Sequence, residues 1–320
     1  MDSKKKSQWK AWLYLLPALV ILAIFTVWPI INTVIMSFRV DYDALTAMNP
    51  NVNAYAEFPF GFGNYKNVVA YSAFWKILGN TMLLTVITVP VSTMLALIIA
   101  VALNSIKFVR KTMQTIFFLP YVTNSIAIGM VFMAMFHMIG GGEVSVGIVN
   151  SIIKAFGGKP VNWVDDGSSY GANLFVLSFY IVWNALPFKI LVLLGGLQSV
   201  NKQYYEAAKI DGTSRFRTFW RITVPLLSPM IAYVVITGFI GGFKEYTSIV
   251  GIFGSASMSG SLTTMGPVGA TRRWQTMVGF INGAIASNQG KASAAALILF
   301  VIIFAVTMVN MYVSKKKVHY

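Results

Sequence analysis

The chain has 320 residues, of which 56% are hydrophobic and only 11% are charged, and its mean hydropathy is +0.67. Because about a quarter of the residues in a soluble domain are charged, this composition excludes an ordinary soluble protein and indicates that most of the chain lies in a bilayer. The absence of cysteine excludes a disulfide framework and a thiolate metal site, and the two histidines, His137 and His319, are too far apart to suggest a metal cluster.

Six apolar stretches are long enough for a helix to cross the hydrocarbon core, which takes about 20 residues. They cover residues 11–38, 77–106, 112–139, 172–200, 225–250 and 292–314. The first stretch follows a basic tail, residues 1–10, and its length and lack of a small-residue cleavage site predict a retained span and not a signal peptide. Because lipid offers the backbone no outside partner, we predict an all-α membrane protein with a single transmembrane domain, residues 11–320.

The distribution of charge predicts the orientation of these spans. Six crossings put both termini on one side, and we take that side to be the cytoplasm because its short segments hold most of the 25 basic residues: Lys4, Lys5, Lys6, Lys10, Lys107, Arg110, Lys111, Lys202, Lys209, Arg215, Arg217, Arg221, Lys315, Lys316 and Lys317. The net charge of +15 is then a consequence of topology, which argues against nucleic-acid binding.

Residues 274–288 are a further apolar segment, between the fifth and sixth spans. The segment is short for a crossing, and a crossing there would move the basic end of the chain to the outer side. We therefore predict an interfacial or re-entrant helix.

Residues 206–229, EAAKIDGTSRFRTFWRITVPLLSP, form a polar and basic stretch between two apolar spans. Residues 204–211 predict a short helix that Gly212 ends with a positive φ. Thr213 or Ser214 can cap a second helix, and Pro225 suits the first turn of the next span. A compact helix–turn–helix on the cytoplasmic face, residues 201–224, is one interpretation, and a solvated loop with a helical stretch is the other.

This stretch resembles the EAA signature loop of binding-protein-dependent ABC importer permeases. The matching residues are Glu206, Ala207, Ala208, Gly212, Ile222 and Pro225. The Ile-Asp-Gly that ends at Gly212 is similar to the sugar-importer branch, the maltose and multiple-sugar type. Weaker matches follow in order along the chain: Asn64-Tyr65, Asn80-Thr81, Leu119-Pro120, Asn150, Trp163, Trp183, Pro187-Phe188 and Gly290. The chain departs from the family in a longer outer loop, residues 251–288, where Gly-Pro comes only at 266–267.

The resemblance implies a type I ABC importer permease (MetI-like) fold in a bacterial cell membrane. It implies half of a translocation pathway for sugars, oligosaccharides in particular. The chain has no nucleotide site of its own, since Gly290-Lys291-Ala292 lacks the rest of a P-loop. We therefore expect a transport subunit that is not an enzyme and binds no cofactor, while partner ATPases use ATP and Mg.

The partners that the resemblance implies are a second permease in a heterodimer, two cytoplasmic ABC ATPases and an extracellular or periplasmic solute-binding protein. Docking on the ATPase would use the first helix of the loop. There Glu206 would make a polar contact or cap the helix, and the small side chains of Ala207 and Ala208 would set the approach distance. Asp211 and Gly212 would shape the turn.

A substrate pathway is predicted from polar and small residues inside the spans, because intramembrane polar groups usually mark a pathway. Gly238, Gly241, Gly242 and Glu245 recur at helical spacing on one face of the fifth span. Tight helix packing, and an ion pair of Glu245 with Lys189 or Lys244, are the alternatives, and the resemblance favours sugar passage. Further candidates are Tyr180, Asn184, Tyr246 and Asn124. Rival functions are import of another small solute, such as glycerol phosphate or a polyamine, and secondary transport.

Overall fold

The computed structural model describes residues 2–49, 57–106, 110–139, 145–165, 167–254 and 273–317. The helices in the first half of the chain are α1 (Asp2–Leu22), α2 (Trp28–Phe38), α3 (Ala44–Ala47), α4 (Gly63–Ala70), α5 (Phe74–Ser105), α6 (Arg110–Val122), α7 (Ser125–Phe136) and α8 (Ile148–Ala155). Those that follow are α9 (Tyr170–Ser199), α10 (Gln203–Ile210), α11 (Arg215–Thr218), α12 (Val224–Leu226), α13 (Ser228–Phe243), α14 (Thr247–Phe253), α15 (Met277–Ile285) and α16 (Gln289–Lys317). Single π-helical turns at Ala23–Val27 and Phe219–Thr223 follow α1 and α11.

The chain is mostly helical, as predicted, but it is not purely helical. A short antiparallel ladder pairs β1 (Met138–Ile139) with β2 (Ser145–Val146) directly after α7. Helix α1 begins at Asp2 and therefore includes most of the predicted tail, residues 1–10.

Within the described residues, four helices are long and apolar enough to cross a membrane: Trp12–Phe38, Phe74–Ser105, Tyr170–Ser199 and Gln289–Lys315. They overlap the first, second, fourth and sixth predicted spans. Two bent helix pairs in the described part of the chain raise the number to six if each pair is counted as one span. These pairs lie where the third and fifth spans are predicted.

The third predicted span, residues 112–139, is not one continuous helix. The axes of Thr115–Val122 and Ser125–Phe136 differ in direction by 102°. Asn124 adopts extended backbone geometry, and its side chain accepts hydrogen bonds from the backbone N–H groups of Ile126 and Ala127. Such side-chain capping starts a new helix, and an apolar count along the sequence does not register it.

The fifth predicted span, residues 225–250, is broken as well. Arg215–Leu226 meets Ser228–Phe243 at 70°, and α13 then ends at Phe243, three residues before α14 begins. Glu245 lies in this link, residues 244–246, and therefore not on the helix that carries the three glycines. The prediction that Glu245 shares one helical face with Gly238, Gly241 and Gly242 is wrong, because α13 ends at Phe243.

The described chain divides into two compact units, Met1–Phe74 with Ile281–Ile298, and Trp75–Phe280 with Leu299–Tyr320. In the first unit the buried Asn64 side chain joins the loop after α2 to α4. Its Nδ2 donates to the carbonyls of Ser37 and Arg39, and its Oδ1 accepts the Asp41 N–H at 3.0 Å. Gly290 fits against the same turn, since a β-carbon there would lie 2.6 Å from the Arg39 carbonyl oxygen.

Asp43 caps the short helix α3 in the same unit. Its carboxylate accepts the Thr46 hydroxyl at 2.8 Å and the backbone N–H groups of Leu45 and Thr46. The Thr46 hydroxyl is the main reason that the pKa of this carboxyl lies below its usual value.

The second unit contains two buried apolar clusters. One joins α7, α9 and α14 around Phe132, Tyr180 and Phe253. The other joins α5, α9 and α13 around Ala96, Leu193 and Val234. Helix α9 contributes residues to both clusters.

Candidate functional site

A cavity of about 300 Å³ lies in the second unit, between α5, α6, α9, α13 and the link that contains Glu245. Its lining combines apolar and aromatic groups with several polar ones: Thr88, Val89, Ser92, Tyr121, Ile181, Asn184, Ala185, Phe188, Lys189, Thr237, Gly238, Gly241, Gly242 and Glu245. A concave, largely apolar site with a few convergent polar groups is the usual form of a small-molecule site.

Lys189 is a buried cation in the wall of this cavity, and only 4% of its surface is exposed. Its ammonium group donates to the Ser92 hydroxyl at 2.7 Å, to the Thr93 hydroxyl at 2.9 Å and to the Val89 carbonyl at 3.2 Å. An ammonium has three donors, so all of them are used within the wall. Lys189 therefore ties α9 to α5.

Glu245 supplies the carboxylate of the cavity. Its Oε1 accepts the Ser248 N–H at 3.0 Å, and its backbone carbonyl accepts the Thr276 hydroxyl at 2.7 Å. Among the described residues no donor reaches Oε2, and Glu245 forms no salt bridge with Lys189 or Lys244. The ion pair considered from the sequence is therefore not formed, and this carboxylate keeps acceptor capacity for a ligand.

The glycines of α13 play two different roles. A β-carbon on Gly242 would lie 2.7 Å from Thr85 Cγ2, and one on Gly238 would lie 3.0 Å from Val89 Cγ1 and 3.2 Å from the Lys189 ammonium. These two glycines allow close packing against α5, and Gly238 also against Lys189 of α9. A β-carbon on Gly241 would meet nothing within 4 Å, so Gly241 faces open space.

An aromatic pair that the sequence analysis did not assign to the pathway completes the cavity. The rings of Tyr121 and Phe188 are stacked, with centroids 6.0 Å apart and planes inclined by 18°. The polar residues of α5 were also missed. A sequence signal for them exists in a run of hydroxyl residues spaced by four, three and four: Thr81, Thr85, Thr88 and Ser92. This spacing places the four residues on one face of a helix.

The structure separates the predicted pathway residues into two groups. Asn184 lines the cavity with Glu245 and the glycines. Tyr180, Tyr246 and Asn124 do not line it: Tyr180 is fully buried and donates its hydroxyl to the Ser125 carbonyl, Asn124 caps α7, and the Tyr246 ring lies beside Gly279.

The EAA stretch forms α10, a turn and α11. Gly212 has φ of +65° after the end of α10, and the Ser214 hydroxyl accepts the Arg217 N–H as the cap of α11. Glu206 and Ala207 are exposed, whereas Ala208 is buried. Pro225 lies in the first turn of α12. One face of α10 is therefore free in the described chain, and the other face packs inward.

Within the described residues no group of three or more His, Cys, Asp or Glu side chains is placed to hold a metal ion. The His137 ring contacts the Asp165 carboxylate at the end of α7, which makes a pair and not a cluster.

A family model described as "Binding-protein-dependent transport system inner membrane component" matches residues 92–319. This range holds the cavity lining except Thr88 and Val89, together with both bent helix pairs and the EAA stretch. The chain belongs to this family. This membership confirms the family predicted from the sequence. The permease is thus a multi-pass transport subunit of the inner membrane and not an enzyme.

Curated relatives match nearly the whole permease. The arabinooligosaccharides transport system permease protein AraP of Bacillus subtilis (strain 168) is 28% identical over 310 residues, which are 95% of this chain and 88% of the relative. The trehalose/maltose transport system permease protein MalF of Thermococcus litoralis is 29% identical over 305 residues, 95% of this chain and 93% of the relative.

A solved structure has the same fold. It is a chain in the crystal structure of a bacterial ABC transporter involved in the import of the acidic polysaccharide alginate, with a TM-score of 0.74 and 20% identity. The match covers 98% of this chain and 98% of that chain. At this identity the likeness concerns the fold alone.

Proposed function

We propose that the permease is the membrane subunit of an ATP-driven importer for sugars, oligosaccharides in particular, and forms half of the translocation pathway. The cavity carries this proposal. It offers a carboxylate with a free oxygen, the Asn184 amide and the stacked rings of Tyr121 and Phe188. Hydroxyl groups of a sugar suit the polar groups, and its apolar ring faces suit the aromatic pair.

The names of two relatives support a sugar. Arabinooligosaccharides, and trehalose and maltose, are the substrates named for the two permeases above. The cavity suits a phosphorylated substrate less well, because a phosphate needs a cation. Lys189, the cation among the cavity-lining residues, already uses its three hydrogen-bond donors within the wall. Within this proposal Tyr180, Tyr246 and Asn124 support the walls of the site and do not contact the sugar.

The proposal includes six membrane crossings with both termini in the cytoplasm. Each bent helix pair then acts as one span, and α15 lies at the outer interface. The excess of basic residues in the short segments on the side of the termini supports this orientation.

We propose that α10 docks on a cytoplasmic ATPase, which uses ATP and Mg, and that the permease itself binds no cofactor. The exposed side chains of Glu206 and Ala207 would contact the ATPase, whereas the buried Ala208 would hold α10 to the permease. Asp211 and Gly212 would make the turn rigid enough to transmit force, and Pro225 would direct the chain into the next span. A second permease and a solute-binding protein complete the complex.

Reconstitution tests the function. The permease is reconstituted in proteoliposomes with the second permease and the ATPase. The solute-binding protein is added, and uptake of labelled oligosaccharides is measured. We expect vanadate-sensitive, ATP-dependent uptake of at least one sugar and none when the ATPase is omitted. Uptake driven by an ion gradient without ATP would contradict the proposal and favour a secondary transporter.

A further inference from the structure

Glu245, the carboxylate of the cavity, lies in a link that belongs to neither neighbouring helix. The N–H groups of Lys244 and Glu245 donate to the carbonyls of Gly241 and Gly242 at the end of α13. Residues 244–246 separate α13 from α14. The Glu245 carbonyl receives no hydrogen bond from the N–H of Ile249 four residues later, as it would inside a helix. The backbone N–H groups of the link are thus bonded to α13, whereas the Glu245 carbonyl needs a donor from another part of the chain.

Thr276 supplies that donor. Its hydroxyl donates to the Glu245 carbonyl oxygen at 2.7 Å, and in the described part of the chain no other donor reaches this oxygen. Only 1% of the Thr276 surface is exposed. A hydrogen bond of this kind is well protected from water, and its loss leaves a carbonyl group without a partner.

The segment around Thr276 is itself anchored to α5. Asn80 Nδ2 donates to the carbonyls of Arg273 at 2.8 Å and Gln275 at 3.2 Å, and the Met277 N–H donates to the Thr81 hydroxyl at 3.0 Å. These bonds hold the residues on both sides of Thr276. Thr276 therefore has a fixed position relative to the α5 residues that line the cavity.

The same segment is packed as well as hydrogen-bonded. Trp274 is completely buried, and its ring stacks on Tyr170 at the start of α9 with a centroid distance of 4.3 Å. These hydrogen bonds and this ring stacking together hold the segment that leads into α15 against α5 and α9.

We propose that Thr276 is a positioning residue for the cavity carboxylate. It replaces the missing helical hydrogen bond of the link and so fixes the direction in which Glu245 presents Oε2. This inference rests on the proposed function for its effect on transport, but its effect on the position of residue 245 does not depend on transport.

A transport-independent experiment tests the position directly. The chain has no cysteine, so Glu245→Cys carries a single thiol whose alkylation rate by a water-soluble maleimide can be measured in membranes. We expect Thr276→Val, which keeps the side-chain shape, to raise the rate roughly fivefold or more because the link is released. Thr276→Ser, which keeps the hydroxyl, should stay within about twofold of the parent. Equal rates in all three proteins would overturn the proposal.

A double-mutant cycle in proteoliposomes tests the consequence for transport. We expect Thr276→Val to lower uptake roughly tenfold when Glu245 is present and by less than about twofold in a Glu245→Gln background, because residues that act through one another are not additive. The same loss in both backgrounds would mean a general structural role and would overturn the proposal. If the unsubstituted complex shows no ATP-driven sugar uptake, the proposed function fails, whereas the thiol experiment still decides whether Thr276 positions residue 245.

Discussion

Gly129 and Gly251 face each other so closely that a β-carbon on Gly129 would lie 2.7 Å from the Cα of Gly251. Gly129 belongs to α7, the second half of the bent pair at the third span, and Gly251 belongs to α14, which follows the link after α13. Small residues allow the backbones of membrane helices to approach closely. Helices α7 and α14 are thus closely packed at this crossing, next to the link that contains Glu245.

Gly129→Ala should destabilise this crossing. The added methyl group meets backbone atoms that cannot rotate away, and overpacking of this kind costs about 1–3 kcal/mol. Thermal unfolding of the purified permease in detergent measures the effect. Gly241→Ala is the matched control, because a β-carbon there meets nothing within 4 Å. Equal unfolding temperatures for the two variants would contradict the close crossing.

Two neighbouring alanines of α10 should respond differently to a large side chain. Ala207 is exposed and Ala208 is only 6% exposed. We expect Ala207→Trp to leave the unfolding temperature nearly unchanged but to prevent co-purification of the ATPase. Ala208→Trp should lower the unfolding temperature of the permease alone. An Ala207→Trp permease that still retains the ATPase and transports normally would argue against docking on this face.

Gly212 should tolerate asparagine better than alanine. Its φ of +65° is a left-handed conformation, and a β-carbon there meets no neighbour within 4 Å, so the penalty comes from the backbone alone. That penalty is about 1–2 kcal/mol for most residues and smaller for asparagine. Uptake and ATPase retention by Gly212→Ala should be lower than by Gly212→Asn. The reverse order would mean that the side chain, and not the turn, matters.

Substitution of the two charged cavity residues should distinguish a residue that binds the sugar, Glu245, from one that holds two helices together, Lys189. Glu245→Gln should raise the sugar concentration for half-maximal uptake about tenfold, because it weakens charge-assisted hydrogen bonds. Lys189→Met should change that concentration by less than about threefold, since the ammonium donors are used within the protein wall. A larger effect for Lys189→Met than for Glu245→Gln would reverse these roles.

The features of the fold that depend on apolar length or on one local conformation could be predicted from the sequence. Helices near the first, second, fourth and sixth spans follow from apolar length, and the positive φ of Gly212 follows from the turn after a short helix. The breaks at Asn124 and after Phe243 could not be predicted in this way, because apolar length averages over the few polar residues at each break.

The candidate site shows the same division. Asn184 and Glu245 are recognisable as polar residues inside apolar spans, and both line the cavity. The sequence does not distinguish Tyr121 and Phe188 from lipid-facing aromatic residues, because the two rings stack only where α6 and α9 come together. The bond between Thr276 and Glu245 joins residues 31 positions apart in sequence across the outer loop, and no local pattern predicts it.

Docking of α10 on a cytoplasmic ATPase is tested most directly with a single cysteine at Ala207, in a chain that otherwise has none. A short thiol–amine cross-linker is added to inverted membrane vesicles that contain the complex, and Lys159→Cys, exposed on the predicted outer side, is the control. We predict a permease–ATPase adduct from Ala207→Cys that forms in an ATP-dependent amount, and none from Lys159→Cys. Labelling of Ala207→Cys from outside intact cells, or no adduct with the ATPase in a complex that imports sugar, would contradict the proposed docking.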